Sequence, residues 1–446
     1  MKKGIICILL SLAVIFCSCI PYVSGAGELS FDFFSKDKPD TADYPCEFPC
    51  VFDSALTGEG YAFGEDILPA LAQIEQTQTV PDTPVPSIDE EMRAVWVPYL
   101  TLYGVTASDI DIMVKKIKAA NLNTVFFHVR PFGDALYDSD YYPWSHVVSG
   151  TQGKAPDGGF DPLGYAVEVC HKNGIKIHAW INPLRVQSRG STPKNLSADN
   201  PAYQALHIKN PRRVIEYNDS LYYNPSNSEN IILIVNGVRE ILRGYDVDGI
   251  HFDDYFYPAD DESFNDAPEY SAYVSAGGTL NLTDWRCEKI NQLVRQVYAA
   301  VKEEKSTAVF GISPAGNISR CARLGADIKT WCSQKGYVDY ICPQIYWSQK
   351  NPKYPFEDTA QSWRALIKNK DIKLYIGLAL YKAGTDSDEN TWQGSSNIAD
   401  QIRLLRGKEI AADGFGLYSY AYLDNEATAK EMENVKKVMS KQGAKK

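Results

Sequence analysis

"VDGIHFDDYFYP", residues 247–258, sets a histidine and two adjacent aspartates inside a run that otherwise has the apolar, aromatic character of a buried β-strand. A buried carboxylate without a partner is costly or takes up a proton, so such a strand needs a reason for its charges. Alternation by two puts His251, Asp253 and Tyr255 on one side and sends Asp254 to the other. Pro258 cannot continue a central strand, so the run is expected to end in a turn near its aspartates.

Seven further runs of the same kind surround it: 93–100, 124–131, 175–182, 308–315, 338–347, 374–380 and 414–423. Amphipathic stretches fall between them at 107–120, 161–173, 229–243, 283–304, 358–369, 396–406 and 425–440. In the stretch 229–243, Ile232, Val235, Val238, Ile241 and Leu242 form an apolar stripe of core character. Eight strands alternating with helices predict an α/β fold, a (β/α)8 TIM barrel. A doubly wound sheet would alternate in the same way, but "VWVPYLTLYG" (95–104) after the first strand is no glycine-rich phosphate loop.

In such a barrel the chemistry sits at the C-terminal ends of the strands. Those ends are unusually polar and aromatic here. The second carries His128 and Arg130, then Gly133 and Asp134; the third carries His178, Trp180 and Asn182. The fourth carries His251, Asp253 and Asp254, the sixth Gln344, Tyr346 and Trp347, the eighth Tyr418, Tyr420, Tyr422 and Asp424. Spacing by two co-orients His128 with Arg130, and His178 with Trp180 and Asn182. Taken singly, each has an ordinary reading: a satisfied core histidine, a structural Arg130–Asp253 pair, Asp134 capping a turn, Trp180 as packing. Their convergence at strand ends is what core packing does not require.

A cleft lined by aromatics, amides, an arginine and carboxylates suits a carbohydrate. Glycosidic cleavage needs an acid for the leaving oxygen and a second carboxylate roughly 5 to 10 Å away as nucleophile or base. Asp253 is expected to be the essential carboxylate, with Arg130, Asn182 and His251 shaping its ionisation and holding sugar hydroxyls. Trp180, Tyr346 and Trp347 are the expected stacking platforms, and His178, Tyr255, Gln344 and Tyr420 complete the substrate-binding set. Asp254 ranks first as proton donor, ahead of Asp134 and Asp424. A metal held by His251 and Asp253 with His178 or His128 is the competing chemistry. It is disfavoured because no His-x-His pair ends the first strand and Arg130 would repel a cation; no cofactor or metal is expected.

The chain has 446 residues, 44% of them hydrophobic, and a formal net charge of −11, which argues against a phosphate-tracking nucleic-acid binder. Lys2 and Lys3 precede an apolar stretch from Ile5 to Ile20, and Ser24-Gly25-Ala26 fits a small-residue cleavage site. Residues 1–26 are therefore expected to be a secretory signal. The alternatives are lipid modification of Cys19, which would tether the protein to a membrane, and a retained membrane anchor. Residues 27–90 read as an extended linker ahead of a catalytic barrel over 91–442. Cys46 and Cys50 form the best disulfide candidate, while several later cysteines are expected to be buried free thiols.

The strings "MRAVWVPYL", "FFHVRPFGDALYDSDYYPWS", "GIKIHAWINPLRV", "YDVDGIHFDDYFYP", "FGISPAGN" and "VDYICPQIYW" resemble, in order, the bacterial glycosyl-hydrolase-like family 10 domain over roughly residues 90–385. That resemblance implies a barrel, secretion or lipid anchoring, and hydrolysis of cell-wall glycan, peptidoglycan foremost. It maps onto Arg130, Gly133 and Asp134; onto His178, Trp180 and Asn182; and onto His251, Asp253, Asp254 and Tyr255. "TDWRCEKINQLV" keeps Trp285, Arg286 and Asn291 but has Cys287 where a basic residue is common. "LYYNPSNSE" departs from the family's usual turn. Compared with the chitinase-type strand, Tyr255 stands where the catalytic Glu would be, which disfavours that mechanism.

Overall fold

The computed structural model describes residues 91–188, 196–207, 211–254 and 256–440. The expected signal, linker, Cys46–Cys50 pair and Tyr255 lie outside these. Eight parallel strands close into a barrel: β1 (Met92–Val97), β2 (Thr124–Arg130), β3 (Lys176–Ile181), β7 (Gly249–Phe252), β8 (Val309–Ile312), β9 (Tyr340–Ile341), β10 (Lys373–Leu378) and β11 (Gly414–Leu417). The strands are shorter than the apolar runs that announce them. Pro98 and Pro131 follow β1 and β2 directly, and Pro314 and Pro343 lie just past β8 and β9, each removing a ladder donor and turning the chain at the rim.

Between the barrel and the solvent lie α1 (Ala107–Ala119), α2 (Pro162–Lys172), α3 (Ser228–Gly244), α4 (Leu282–Glu304), α5 (Phe356–Leu366), α6 (Asn397–Leu405) and α7 (Ala429–Ser440). Their starts are written locally. Thr106 and Asp109 form a reciprocal capping box on α1, and Asp161, Asn227 and Asn281 cap α2, α3 and α4. The buried stripe of α3 is Ile231, Ile234, Val235, Val238, Ile241 and Leu242. Ile232, expected in it, is only partly covered, because a period of 3.6 passes through Ile231 and Ile234 instead. Among the described residues no helix is long and apolar enough to cross a membrane.

Several elements have no counterpart in the expected pattern, among them the helix Ala267–Ser275 and a second sheet. Between β3 and α3 the chain builds a separate antiparallel sheet of β4 (Arg185–Gln187), β5 (Val214–Tyr217) and β6 (Ser220–Tyr223), in the order β4-β6-β5. Asn218 and Asp219 take positive φ values of 45° and 51°, the geometry of a two-residue hairpin turn.

The barrel interior is filled by rings. Trp96, Phe126, Trp180, Tyr340 and Tyr375 point inward, separated from the outer core of aliphatic residues under the helices. Glycines on neighbouring strands make the room: a Cβ on Gly311 would lie 2.1 Å from the Tyr340 ring, and one on Gly416 2.5 Å from Trp96.

Candidate active site

β7 delivers the two aspartates to the C-terminal rim. Asp253 is 2% exposed and follows Phe252 directly. The indole N–H of Trp180, from β3, donates to its Oδ2 at 3.2 Å. Trp180 is itself fixed by stacking on His128, with centroids 3.6 Å apart and planes at 11°. The Tyr418 phenol completes this side; burial raises its pKa first, and the negative charge of Asp253 raises it further.

Asp254 is placed differently. β7 ends at Phe252, so strand alternation no longer governs it, and its carboxylate turns toward the end of β9. There Gln344 donates through Nε2 to Asp254 Oδ1 at 3.2 Å and to the Ser313 carbonyl at 3.0 Å. Burial holds the Asp254 pKa above its ordinary value, opposed in smaller measure by the Gln344 hydrogen bond and the cations Arg320 and Arg185. Tyr346 packs between Tyr381 and Tyr418, with ring centroids 6.1 and 5.7 Å away. Trp347 stays partly exposed beside Tyr354.

The structure therefore brings together Asp253, Asp254, Trp180, Gln344 and Tyr346, with Trp347 on the same strand end. The other expected site residues among those described go elsewhere. His251 and His178 lie beneath the site, in the barrel core, at 0% and 1% exposure. Trp96 Nε1 donates to His251 Nε2 at 3.2 Å, and an indole nitrogen can only donate, so the His251 proton sits on Nδ1 and points to the Tyr340 oxygen 2.8 Å away. The phenol proton is then left for His178 Nδ1, at 3.0 Å. With both nitrogens engaged by protein groups, His251 has no lone pair for a metal. Among the described residues no three His, Cys, Asp or Glu side chains gather as a metal would require.

Arg130 does not share a side with His128. The ladder between β2 and β3 slips between these two residues, pairing Arg130 with Ile181, and the slip turns the guanidinium outward. It lies 4.0 Å over the Tyr142 ring and is fully buried between barrel and helices. Asn182, also buried, donates to the Pro131 carbonyl at 3.4 Å and ties two strand ends together. Asp134 is 0% exposed and accepts from Gln152 Nε2 at 2.8 Å; neither Asp253 nor Asp254 is among its partners. Tyr420 falls past β11 in a short turn under Lys116, 5.8 Å from its ring, and Lys116 also pairs with Asp424 at 2.6 Å on the surface of α1.

The cation of the site is one the sequence reading passed over. Arg185 opens β4, is 8% exposed, donates through Nε to the Pro131 carbonyl at 3.0 Å and lies 5.0 Å over Phe132. Its charge acts on His128, Asp254 and Tyr418 alike. His128 is neutral: burial, then Arg185, pushes its pKa well below the ordinary value, and its Nδ1 accepts from the Tyr99 backbone N–H at 3.3 Å. The signal was present in "HAWINPLRV" (178–186), three residues past Asn182.

An eight-stranded parallel barrel with two adjacent carboxylates at its C-terminal rim, set among aromatics and amides, defines a barrel glycoside hydrolase. The chain belongs to the Glycosyl hydrolase-like 10 family, which matches residues 91–393. It is 34% identical over 350 residues to Glycosyl hydrolase YngK of Bacillus subtilis, covering 72% of this chain and 67% of that protein. It is 33% identical over 311 residues to Glycosyl hydrolase DigH of Escherichia coli K12, covering 65% and 69%. Among solved structures, the glycoside hydrolase domain of PgaB from Bordetella bronchiseptica superposes with a TM-score of 0.55 at 14% identity, over 78% of this chain and 99% of that domain. The endo-1,4-beta-mannanase of Rhizomucor miehei gives 0.52 at 11% identity, over 79% and 96%. At these identities the two structures share the fold alone.

Proposed function

We propose that this glycoside hydrolase acts outside the cytoplasm on a bacterial cell-surface polysaccharide, with the glycan strands of peptidoglycan as its substrate. The amino-terminal Lys2-Lys3 and apolar stretch support export, by signal cleavage or by lipid attachment at Cys19. The reading of the chemistry rests on one observation: neighbouring aspartates stand in unlike surroundings. Asp254, its pKa raised by burial and its carboxyl held by Gln344, is suited to protonate the departing glycosidic oxygen. Asp253, held by the Trp180 indole, is suited to attack the anomeric carbon or to take a proton from the attacking water. Trp347, partly exposed, offers a ring face to sugars; Trp180 and Tyr346, expected to do the same, are buried against His128 and against Tyr381 and Tyr418.

The test is to incubate the full chain with purified sacculi and with glycan strands stripped of stem peptides, and to measure new reducing ends. Binding without new ends overturns the proposal in favour of a carbohydrate-binding barrel. Asp253→Asn is expected to fold and to lower turnover by at least roughly 10²–10⁴-fold. Asp254→Ala should lose activity on natural glycan yet keep it on an aryl glycoside whose leaving group needs no acid. Equal loss on both substrates removes Asp254 as the donor.

A further inference from the structure

Beside the rim, a cleft of about 460 Å³ opens between the turn after β1 and the segment 146–157, lined by Tyr103, His146, Val147, Ser149, Lys154 and Asp157. Its size is that of a small-molecule site. Two features point to a ligand there. The Tyr103 ring is 48% exposed, next to Leu100 at 49%, on a turn that is itself fixed: Leu102 is fully buried and Gly104 N–H donates to the Val147 carbonyl at 2.8 Å. An aromatic face displayed on rigid backbone is a ready platform for the C–H face of a sugar ring.

The second feature is unmet polarity. His146 is 9% exposed, yet neither of its ring nitrogens has a hydrogen-bond partner. Its Nδ1 stands 3.6 Å from Asp134 Oδ2, beyond hydrogen-bond reach, and Asp134 Oδ1 has no partner either. Buried donors and acceptors are normally satisfied, and His146, which lines the cleft, is suited to a hydroxyl brought by a ligand.

The wall of the cleft is tied to the residues around the carboxylates by a buried ladder of rings. Trp180, which holds Asp253, stacks on His128; His128 meets Tyr99 at 5.6 Å; Tyr99 meets Tyr103 at 6.1 Å and Phe132 at 5.1 Å. Phe132 in turn meets His146 at 5.8 Å. His128, Phe132 and Trp180 are buried, so these are packing contacts that fix the position of Tyr103, the exposed ring at their end.

We propose that this cleft is a distal sugar-binding subsite, in which Tyr103 stacks on a pyranose ring several units from the scissile bond while His146 meets its hydroxyls. The subsite rests on the glycosidase reading above and adds chain-length selection to it: long strands reach Tyr103 and short ones do not. Tyr103 and His146 act in binding and take no part in the proton transfers.

The experiment measures binding by titration calorimetry, using stripped glycan strands sorted by length and the full chain as wild type, Tyr103→Ala, Tyr103→Phe and His146→Ala. Tyr103→Ala is expected to weaken long strands roughly tenfold while leaving short ones unchanged, and Tyr103→Phe to retain most of the affinity. His146→Ala should weaken long strands in the same selective way. Equal affinity of wild type and both alanine variants for long strands overturns the subsite, as does equal loss on short ones, or no binding of any strand by wild type. Tyr103-dependent binding without new reducing ends leaves the subsite standing and removes the glycosidase assignment instead.

Discussion

Gln344 is the residue through which the proposed proton donor, Asp254, can be tuned. Its amide N–H groups bridge Asp254 and the Ser313 carbonyl, and a hydrogen bond donated to a carboxylate favours its charged form. Removing it leaves burial less opposed, so the Asp254 pKa rises further. A general acid works only while protonated, so activity falls as pH climbs through that pKa. Gln344→Ala is therefore expected to move the alkaline limb of the kcat/KM profile to higher pH; an unmoved limb, or one moved downward, would contradict Asp254 as donor. At this scale the sequence was a partial guide. It placed Asp253, Trp180, Gln344 and Tyr346 together because each stands at a strand end, and strand ends meet in a barrel. It misplaced Arg130 because a ladder slip reverses a side chain without leaving a trace in residue type. It took His178 and His251 for lining residues because periodicity gives the side of a strand and not the depth along it. Arg185 escaped because it belongs to a sheet that strand spacing did not announce.

Among the elements, the segment after β7 is the one on which the proposed chemistry depends, and α4 holds it. Arg286 forms a buried two-point ion pair with Asp266, at 2.8 and 2.7 Å, donates to the Asp261 carbonyl at 2.8 Å and lies 4.9 Å over the Tyr257 ring. One guanidinium thus fixes three points of the chain that leaves Asp254. Arg286→Ala leaves a buried carboxylate unpaired, and a loss of about 3–5 kcal/mol is expected in urea or guanidinium unfolding. A loss below 1 kcal/mol would show that the staple carries little. Asn291 plays a smaller part, accepting from Trp331 Nε1 at 2.7 Å and donating to Asp327 at 3.0 Å. The seven helices expected around the barrel were readable to within about four residues, since apolar stripes mark them, and Thr, Asp or Asn caps the first four. The β5–β6 hairpin was not, although "EYNDSLYY" (216–223) carries a two-residue turn between aromatic runs. Its strands are only half covered, so they lack the apolar density that marks the barrel strands.

For the whole molecule, the barrel core carries a built-in sensitivity to acid. Burial pushes the His178 pKa down to about 4 and holds that of His251 well below the usual value. The unfolded chain takes up a proton at each near pH 6.5, while the folded chain accepts none until much lower. Stability is thus full above about pH 6.5 and is lost as pH falls toward 4, with about 3 kcal/mol attached to His178 alone. The urea midpoint should fall over that window, and His178→Asn, which keeps an acceptor for Tyr340, should flatten the fall; an unaltered slope would count against it. The rings that fill the same core have a different consequence. Tyr340 occupies the space above Gly311, and Trp96 the space above Gly416, so each large side chain is housed in a socket owned by another strand. Neither member of such a pair can change size alone. Relatives that alter one ring are expected to alter its socket in the same lineage, and a strand transplanted between barrels will be accepted only together with the neighbour that gives it room.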